Sequence, residues 1–431
     1  MNQKEFKNAL LCGQGRCYLA CRKQPERYRS SVLWGCTHQL AYDPQCEGTR
    51  AWLLYRLVSC YPDRAPFRDA SITVLSQKSA QGWLLLQAEE FLNLLANDGD
   101  TIAKEAVWQK YGELLAALHA RKRRVCSRTD HSLDDYVFLA IMLCADESDA
   151  LRIAADIGLL VHENRIYQAD DFEQVFLQFK ICRHLTALRR IAKTNEHAAR
   201  FLRMSEASEK TADETSAGRL LSNEQQKSIS SYHFSRDADD EAFRLYAEMY
   251  IAEREPENRA NLLRAFAWNR SFPLDPDPII TDALSENARL RSTAWDALHL
   301  IRHPKVRAFA LTQTEAKPEE RIPVLIANGT ENDRPLLEQL LAQIPSNRQG
   351  ADRIHAIGSC VLDLHTVGIR VPEWILRYLY DHGRCSECRA SIIDEMGRRR
   401  ILSVDILNEC LYDANGDIRT YAEKRLAHRQ P

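Results

Sequence analysis

Apolar residues recur along most of the chain at the three- and four-residue spacing of an amphipathic helix. In residues 275–312 this pattern predicts a helical hairpin, because Pro278 suits the first position of a helix. The first helix would bury one apolar stripe, made of Ile279, Ile280, Ala283 and Leu284. After a polar break at 285–287, a second helix would bury another stripe, made of Leu290, Ala294, Ala297, Leu298 and Ile301. A single hairpin cannot cover its own apolar face, so we expect neighbouring hairpins to stack.

The same periodicity predicts further helices along the chain, at 4–11, 16–23, 81–95, 102–119, 133–144, 150–162, 172–184, 185–202, 241–253 and 258–268. Few stretches alternate apolar and polar residues as half-buried strands do. Glycine and proline, the residues that interrupt helices, number only 16 and 15. The pattern therefore predicts an all-α protein.

One stretch breaks the helical pattern. Residues 205–235 contain few large apolar side chains, and we interpret them as a polar linker or an exposed insertion. They separate a helical domain at 1–204 from a repeat region at 236–431. A chain of 431 residues is long enough for two ordinary domains or one extended array, because single hydrophobic cores stop growing at roughly 250–300 residues.

A short motif recurs in the second half of the chain. It consists of an aliphatic residue, an arginine and, three residues after the arginine, an alanine. It occurs as Leu290-Arg291-x-x-Ala294, Val306-Arg307-x-x-Ala310 and Ile418-Arg419-x-x-Ala422. The motif resembles the second helix of HEAT repeats, and it predicts a structural role for the three arginines. No strict period of about 40–47 residues runs through the chain, so the predicted fold is an irregular alpha-alpha superhelix, a HEAT-like repeat solenoid.

The two ends of the chain carry denser signatures. They are Gly13-Gln14-Gly15-Arg16-Cys17, Trp34-Gly35-Cys36, Gln45-Cys46-Glu47-Gly48-Thr49-Arg50, Cys385-Ser386-Glu387-Cys388-Arg389 and Glu409-Cys410-Leu411-Tyr412-Asp413. Together they resemble a group of uncharacterised bacterial HEAT-repeat proteins. This resemblance implies a fold and no activity.

Charge and hydropathy indicate which partners and which compartment the chain suits. The chain has 58 basic and 60 acidic residues, a formal net charge of -2, so no global field attracts nucleic acid or an anionic membrane. The longest apolar run, 137–145, is far shorter than the roughly 20 residues of a membrane span, and the first residues lack an apolar signal region. We expect a cytoplasmic protein with no membrane partner. Its 13 cysteines, odd in number and scattered, are expected to be reduced thiols.

Cys385 and Cys388 form the strongest metal or redox signal, with His382 just before them and Cys410 downstream. A structural zinc ion takes four ligands, and no second Cys-x-x-Cys pair completes the set. Cys388 also fits the repeat motif, because Arg389 follows it. The incomplete signature favours structural thiols, with metal or redox chemistry as the alternative, and we expect no cofactor and no tightly bound metal.

Two segments near the N-terminus carry chemically active residue types. The first, at 13–16, is glycine-rich but lacks the Gly-Lys-Ser/Thr ending of a phosphate-binding loop, so it is predicted to be a turn between helices. The second contains a nucleophile, a base and metal-ligand types, namely Cys36, His38, Asp43, Cys46 and Glu47. Without a known geometry these residues are interpreted as buried thiols and a capping Asp.

Basic residues cluster twice. The stronger cluster consists of Arg121, Lys122, Arg123 and Arg124, with Arg128 nearby, and the weaker one of Arg398, Arg399 and Arg400. Either could contact phosphates, but basic residues at a helix end also suit the helix dipole. No recurrent alternation of aromatic and basic residues indicates a platform for stacking bases.

Two classes of function fit the pattern. The first is a scaffold that binds a protein through its curved surface, a common use of stacked hairpins that needs no catalytic residue. The alternative is a nucleic-acid-binding protein resembling HEAT-like alkylpurine DNA glycosylases, for which Trp295 and Asp296 supply residue types. Adjacent helical residues point about 100° apart, so this pair alone cannot form a pocket wall. We therefore favour a non-enzymatic scaffold with a protein partner.

Overall fold

The computed structural model describes residues 1–77, 82–120, 146–163, 175–176, 179, 183–215, 234–268 and 270–428. These residues form helices joined by short connections and contain no strand, so the predicted all-α class is confirmed for them. None of the described helices combines the length and the apolar character that crossing a bilayer requires.

The chain divides into two compact units. The first comprises Met1–Arg219 and Asn408–Arg419, and the second comprises Leu220–Leu407 and Thr420–Pro431. The predicted division assigned all residues after 235 to one region. The structure instead assigns 408–419 to the first unit. This segment packs with residues far away in the sequence, which no local pattern could reveal.

Eleven described helices belong to the first unit. They are α1 (Gln3–Cys12), α2 (Arg16–Lys23), α3 (Pro25–Cys36), α4 (Pro44–Glu47), α5 (Ala51–Val58), α6 (Ala65–Ser76), α7 (Trp83–Asn97), α8 (Thr101–Ala120), α9 (Glu147–His162), α10 (Leu185–Ile191) and α11 (Glu196–Thr215).

Most helices predicted in this unit are confirmed, and one is wrong. The segment 185–202 was predicted as one helix but forms α10 and α11, because the Asn195 side chain accepts the Ala198 N–H and starts a new helix. Helix α11 continues to Thr215, so it enters the stretch interpreted as a linker. The predicted helix at 133–144, most of 172–184 and residues 216–233 lie outside the described residues.

The glycine-rich turn at 13–16 packs against the returning segment 408–419. Gly13 ends α1 with a φ of 74°, in the left-handed region that favours glycine, and its carbonyl accepts the Ala414 N–H at 2.8 Å. A Cβ on Gly15 would lie 2.0 Å from the Glu409 carbonyl oxygen. The turn therefore allows close backbone packing inside the first unit.

The second unit contains α12 (Asp240–Ala252), α13 (Pro256–Leu263), α14 (Asp277–Asp282), α15 (Ala288–Leu298), α16 (Pro304–Thr312), α17 (Pro318–Asn328), α18 (Arg334–Ala342), α19 (Arg348–Thr366), α20 (Glu373–His382) and α21 (Ser386–Arg398). Helices α22 (Val404–Cys410) and α23 (Gly416–Ala427) follow. The predicted helix at 258–268 is shorter than expected, because α13 gives way to a 3-10 turn at Arg264–Phe266.

The helices of the second unit pack in a regular order. The odd-numbered helices α13, α15, α17, α19 and α21 contact one another in succession. Each even-numbered helix from α12 to α20 packs against an odd-numbered neighbour. An element therefore mostly contacts elements close to it in the sequence.

In the hairpin at 275–312, the predicted burial of the apolar stripes is only partly correct. The stripe predicted for the second helix is buried, from Leu290 in α15 to Ile301 just after its end. Leu284, predicted to be buried, is 60% exposed because α14 ends at Asp282 and Leu284 follows it. Asp282 is buried instead, since its carboxylate accepts hydrogen bonds from the Tyr250 hydroxyl and the Arg259 guanidinium.

Candidate functional site

Two cysteines lie at the start of α21. Cys385 is the N-cap of this helix, and its sulfur accepts the backbone N–H of Cys388 at 3.5 Å. The preceding helix α20 ends at a tight turn in which the Gly383 N–H donates to the Leu379 carbonyl at 2.8 Å. A Cβ at Gly383 would lie 2.6 Å from that same oxygen, so glycine permits the turn that leads into Cys385.

His355 of α19 completes a three-residue cluster with these cysteines. Its Nδ1 lies 3.4 Å from the Cys388 sulfur, and a ligand atom from each of the three residues lies within 4.8 Å of the other two. Cys385 is buried, His355 and Cys388 are half-buried, and neither cysteine is in a disulfide. Within the described part of the chain, this is the one group of His, Cys, Asp or Glu side chains that could hold a metal ion.

The electrostatics of the cluster favour a thiolate at Cys385. Hydrogen bonding with the Cys388 side chain lowers the pKa of the Cys385 thiol to about 4, with smaller contributions from His355 and from the backbone N–H groups at the helix start. Together these interactions outweigh the effect of burial, which raises the pKa. The thiolate is the form of cysteine that acts as a nucleophile and binds metals.

The other two candidates from the sequence are not members of the cluster. The His382 ring packs against Tyr378, with centroids 4.4 Å apart, and Cys410 is a buried residue of the first unit. The sequence pattern missed His355, because it lies in the middle of a helix and no ligand spacing connects it to Cys385.

A surface groove of about 340 Å³ lies between α18 and α20. Its lining combines aromatic, charged and small apolar side chains, namely Arg334, Glu338, Leu341, Ala342, Trp374, Arg377, Tyr378, Asp381 and His382. The Arg334 guanidinium lies 5.2 Å from the centroid of the Trp374 ring and pairs with Glu338 at 2.8 Å. The groove therefore presents two half-buried aromatic rings next to charged groups.

Acidic side chains from three successive odd-numbered helices form a second titratable group in this unit. The Asp296 side chain on α15 is accessible to solvent, but the protein atoms around it limit the hydration of its carboxylate and raise its pKa to about 6. Repulsion from Glu320 on α17 adds to the effect. Burial and the charge of Asp296 likewise raise the pKa of Asp363 on α19 to about 7. His299 is buried with Nε2 3.9 Å from Asp363, and its burial lowers its pKa to about 4.

Trp295 and Asp296, the residue types considered for a glycosylase, point to different environments. Trp295 is buried against Phe309, with ring centroids 5.2 Å apart, whereas Asp296 is exposed. The pair therefore does not form one pocket wall, as the helical geometry predicts.

The N-terminal residues that suggested chemistry are dispersed. Cys36 is buried as expected, but Cys46 is exposed, which corrects its interpretation as a buried thiol. The side chain of Asp43 does not cap α4, so the predicted capping role was wrong. The backbone N–H of Asp43 donates to the Glu47 carboxylate. His38 Nδ1 lies 2.9 Å from the Trp34 carbonyl oxygen. These contacts do not assemble a nucleophile with a base.

Of the two basic clusters, only the weaker one lies within the described residues. Arg121, Lys122, Arg123 and Arg124 lie outside the described residues. In the weaker cluster, Arg398 pairs with Asp394 at 3.2 Å, and Arg399 donates to the Val371 carbonyl at 2.7 Å. Both arginines therefore have partners within the second unit.

The repeat arginines contact the connections between helices. Arg291 donates to the Ser285 carbonyl and Arg419 to the Asp413 carbonyl, each at 2.7 Å. Arg307 forms two hydrogen bonds with the Asp333 carboxylate, at 2.7 and 2.9 Å. Contacts of this kind are what a structural role requires.

Comparison with known proteins adds no assignment. No protein-family model matches the chain, and neither the curated proteins nor the solved structures contain a match.

Proposed function

We propose that this protein is a HEAT-like helical scaffold that binds a protein partner through the groove between α18 and α20. The bound segment would insert an apolar side chain between Trp374 and Tyr378 and present a carboxylate to Arg377. No catalytic step is part of this function.

The order of helix packing in the second unit supports the scaffold. Successive contacts among α13, α15, α17, α19 and α21 are typical of stacked helical hairpins, in which each repeat contacts mainly its neighbours. Such stacks expose an extended surface for binding. The irregular helix lengths, from six residues in α14 to 19 in α19, fit a solenoid without a strict period.

The observation that carries the proposed partner class is the composition of the groove. Trp, Tyr and Arg are the residue types that most often contribute large binding energies at protein interfaces, and the groove presents Trp374, Tyr378, Arg334 and Arg377 together. Trp374 and Tyr378 are one helical turn apart on α20, so a single inserted side chain can contact both rings.

One group of acidic side chains in the second unit is unsuited to binding nucleic acid. Across α15, α17 and α19 the group of Asp296, Glu320 and Asp363 is acidic, and phosphates would be repelled there. A glycosylase would instead need a basic cleft with an acidic residue inside it.

Site-specific photo-cross-linking in native cells tests the proposal. We expect a cross-linking amino acid at position 378 to capture a protein, and the same group at position 284, an exposed site outside the groove, to capture none. The change Trp374→Ala should weaken the recovered complex by roughly 30-fold, about 2 kcal/mol. Trp34→Ala is the matched control, because Trp34 is also half-buried beneath a cation but lies in the first unit.

The alternative predicts a different result. Recovery of nucleic acid without a protein adduct, lost at high salt and reduced by neutralising Arg121, Lys122, Arg123 and Arg124, would reject the scaffold. Release of bases from alkylated DNA would then distinguish a glycosylase from a passive binder.

A further inference from the structure

We propose that His355, Cys385 and Cys388 bind one zinc ion, with a solvent molecule as the fourth ligand. This site is independent of the groove and of any protein partner. This proposal reverses the expectation of no tightly bound metal. That expectation considered only His382 and Cys410 as further ligands for the cysteine pair, and neither belongs to the cluster.

The spacing of the three side chains fits a tetrahedral zinc ion. With Zn–S distances of about 2.3 Å and Zn–N distances of about 2.0–2.1 Å, an ideal tetrahedron places two sulfurs about 3.8 Å apart and a sulfur about 3.6 Å from a nitrogen. The Cys388 sulfur lies 3.4 Å from His355 Nδ1, and all three ligand atoms lie within 4.8 Å of one another. Changes of at most about 1.2 Å in these separations would bring all three atoms to ideal distances.

The donor set selects the class of metal. Two thiolates and one imidazole are soft and intermediate ligands, which suit Zn²⁺ and exclude Mg²⁺ and Ca²⁺, since those ions require oxygen ligands. Two thiolates also balance the charge of a divalent ion within a partly buried site. The backbone N–H groups at the start of α21 further favour negative charge on Cys385.

The burial pattern leaves room for the fourth ligand. Cys385 is buried, whereas Cys388 and His355 are half-buried, so one side of the cluster is accessible to water. Zinc sites with three protein ligands, including sets of two cysteines and one histidine, keep a water in the fourth position.

The site would connect elements that are distant in the sequence. His355 belongs to α19 and the cysteines to the start of α21, and these two helices pack against each other. A metal bound between them would join the two helices and the intervening helix α20 into one metal-dependent structure. Folding of the second unit would then be coupled to metal binding.

Metal titration of the reduced full-length chain tests this proposal. After removal of metal with a chelator, Zn²⁺ is added in competition with a chromophoric chelator, and Co²⁺ is used as a spectroscopic substitute. We expect one ion per chain, a thiolate-to-cobalt charge-transfer band, and the intense visible d–d bands of tetrahedral Co²⁺. The changes Cys385→Ser and Cys388→Ser should each weaken zinc binding at least 100-fold, and His355→Ala at least tenfold.

Two matched controls lie outside the cluster. Cys46→Ser removes an exposed cysteine, and His382→Ala removes the histidine close to Cys385 in the sequence. Both variants should bind zinc like the original chain. If Cys385→Ser does not fold, Cys388→Ser still tests the site. Its cobalt charge-transfer band should be weaker than that of the original chain, because one thiolate ligand is missing, and an unchanged band refutes the site.

Other outcomes overturn the proposal directly. Zinc binding that is equal in His355→Ala and His382→Ala would show that His355 is not a ligand. A reduced chain that binds neither ion would also reject the site, and rapid formation of a Cys385–Cys388 disulfide in that chain would indicate a redox pair instead.

Discussion

At the scale of single residues, position in the fold changes the chemistry of ordinary side chains. Asp363 and Asp296 have no special signature in the sequence, yet their surroundings raise their pKa values to about 7 and about 6. Partial burial disfavours the charged form of Asp363, and the charge of Asp296 adds repulsion. Arg259 has the opposite effect at Asp282, where it supplies the positive partner of a buried carboxylate.

Asp363 makes stability depend on pH. Its folded pKa of about 7 is above the ordinary value of 3.8, so the unfavourable cost of ionisation is absent below about pH 4 and complete above pH 7. We therefore expect Asp363→Asn to stabilise the chain at pH 8 by roughly 1–2 kcal/mol, a figure reduced for partial exposure of the side chain. This gain should shrink toward pH 4.5. Thermal unfolding at both pH values measures it.

The control is Asp405→Asn, which changes an exposed aspartate of the same unit and should not give a gain. A gain of equal size at pH 4.5 and pH 8 would mean that ionisation of Asp363 is not its cause.

At the scale of elements, arginines connect a helix to the chain that precedes it. Arg291 and Arg419 donate to carbonyls six residues earlier, in the connection before their own helices. Arg389, which is fully buried, reaches the Gly383 carbonyl at the same separation, at 3.5 Å. Cys388, which precedes Arg389, therefore occupies the aliphatic position of the repeat motif. The same residue also belongs to the cluster with His355 and Cys385.

Arg307 is predicted to stabilise the fold through Asp333. Loss of its two charge-assisted hydrogen bonds in Arg307→Ala should lower the free energy of unfolding by roughly 1–3 kcal/mol. Arg307 also lowers the pKa of Asp333, so this contribution is present at neutral pH and lost as pH falls below the ordinary aspartate value. Urea unfolding at pH 7 measures the loss.

Arg289→Ala provides the comparison, because Arg289 pairs with Glu257 at an exposed site and should contribute less than about 1 kcal/mol. A fully stable Arg307→Ala variant that loses only partner binding would contradict the structural role. The same test applies to Arg291→Ala.

At the scale of the whole molecule, segments distant in the sequence share one unit. Residues 408–419 pack with the N-terminal helices, where Arg16 pairs with Glu409 at 3.0 Å and the Arg419 guanidinium lies 3.8 Å from the centroid of the Trp52 ring. The backbone at Gly15 packs tightly against this segment, since a Cβ there would overlap the Glu409 carbonyl.

We expect Gly15→Ala to destabilise the first unit by about 1–3 kcal/mol, because the added methyl group must displace the backbone of the returning segment. Gly112→Ala should instead stabilise the chain by about 0.5–1 kcal/mol, since Gly112 lies inside α8 with no atom near the added Cβ. Thermal unfolding of the two variants measures both effects. Equal changes in the two variants would rule out close packing at Gly15.

The sequence by itself determined the helical class and the approximate positions of about half of the described helices. Burial repeats every three to four residues along a helix, so α1, α2 and the buried face of α15 are visible in local periodicity. Cys385 and Cys388 were identifiable as a pair because only two residues separate them in the sequence.

Only the tertiary structure decided which distant residues meet. It added His355 to the cysteine pair, separated His382 and Cys410 from the cluster, and assigned 408–419 to the first unit. It also exposed Leu284 and buried Asp282, because a helix end and a partner arginine outweighed the apolar pattern. These outcomes depend on contacts between segments far apart in the chain, and periodicity along one helix contains no information about what packs against it.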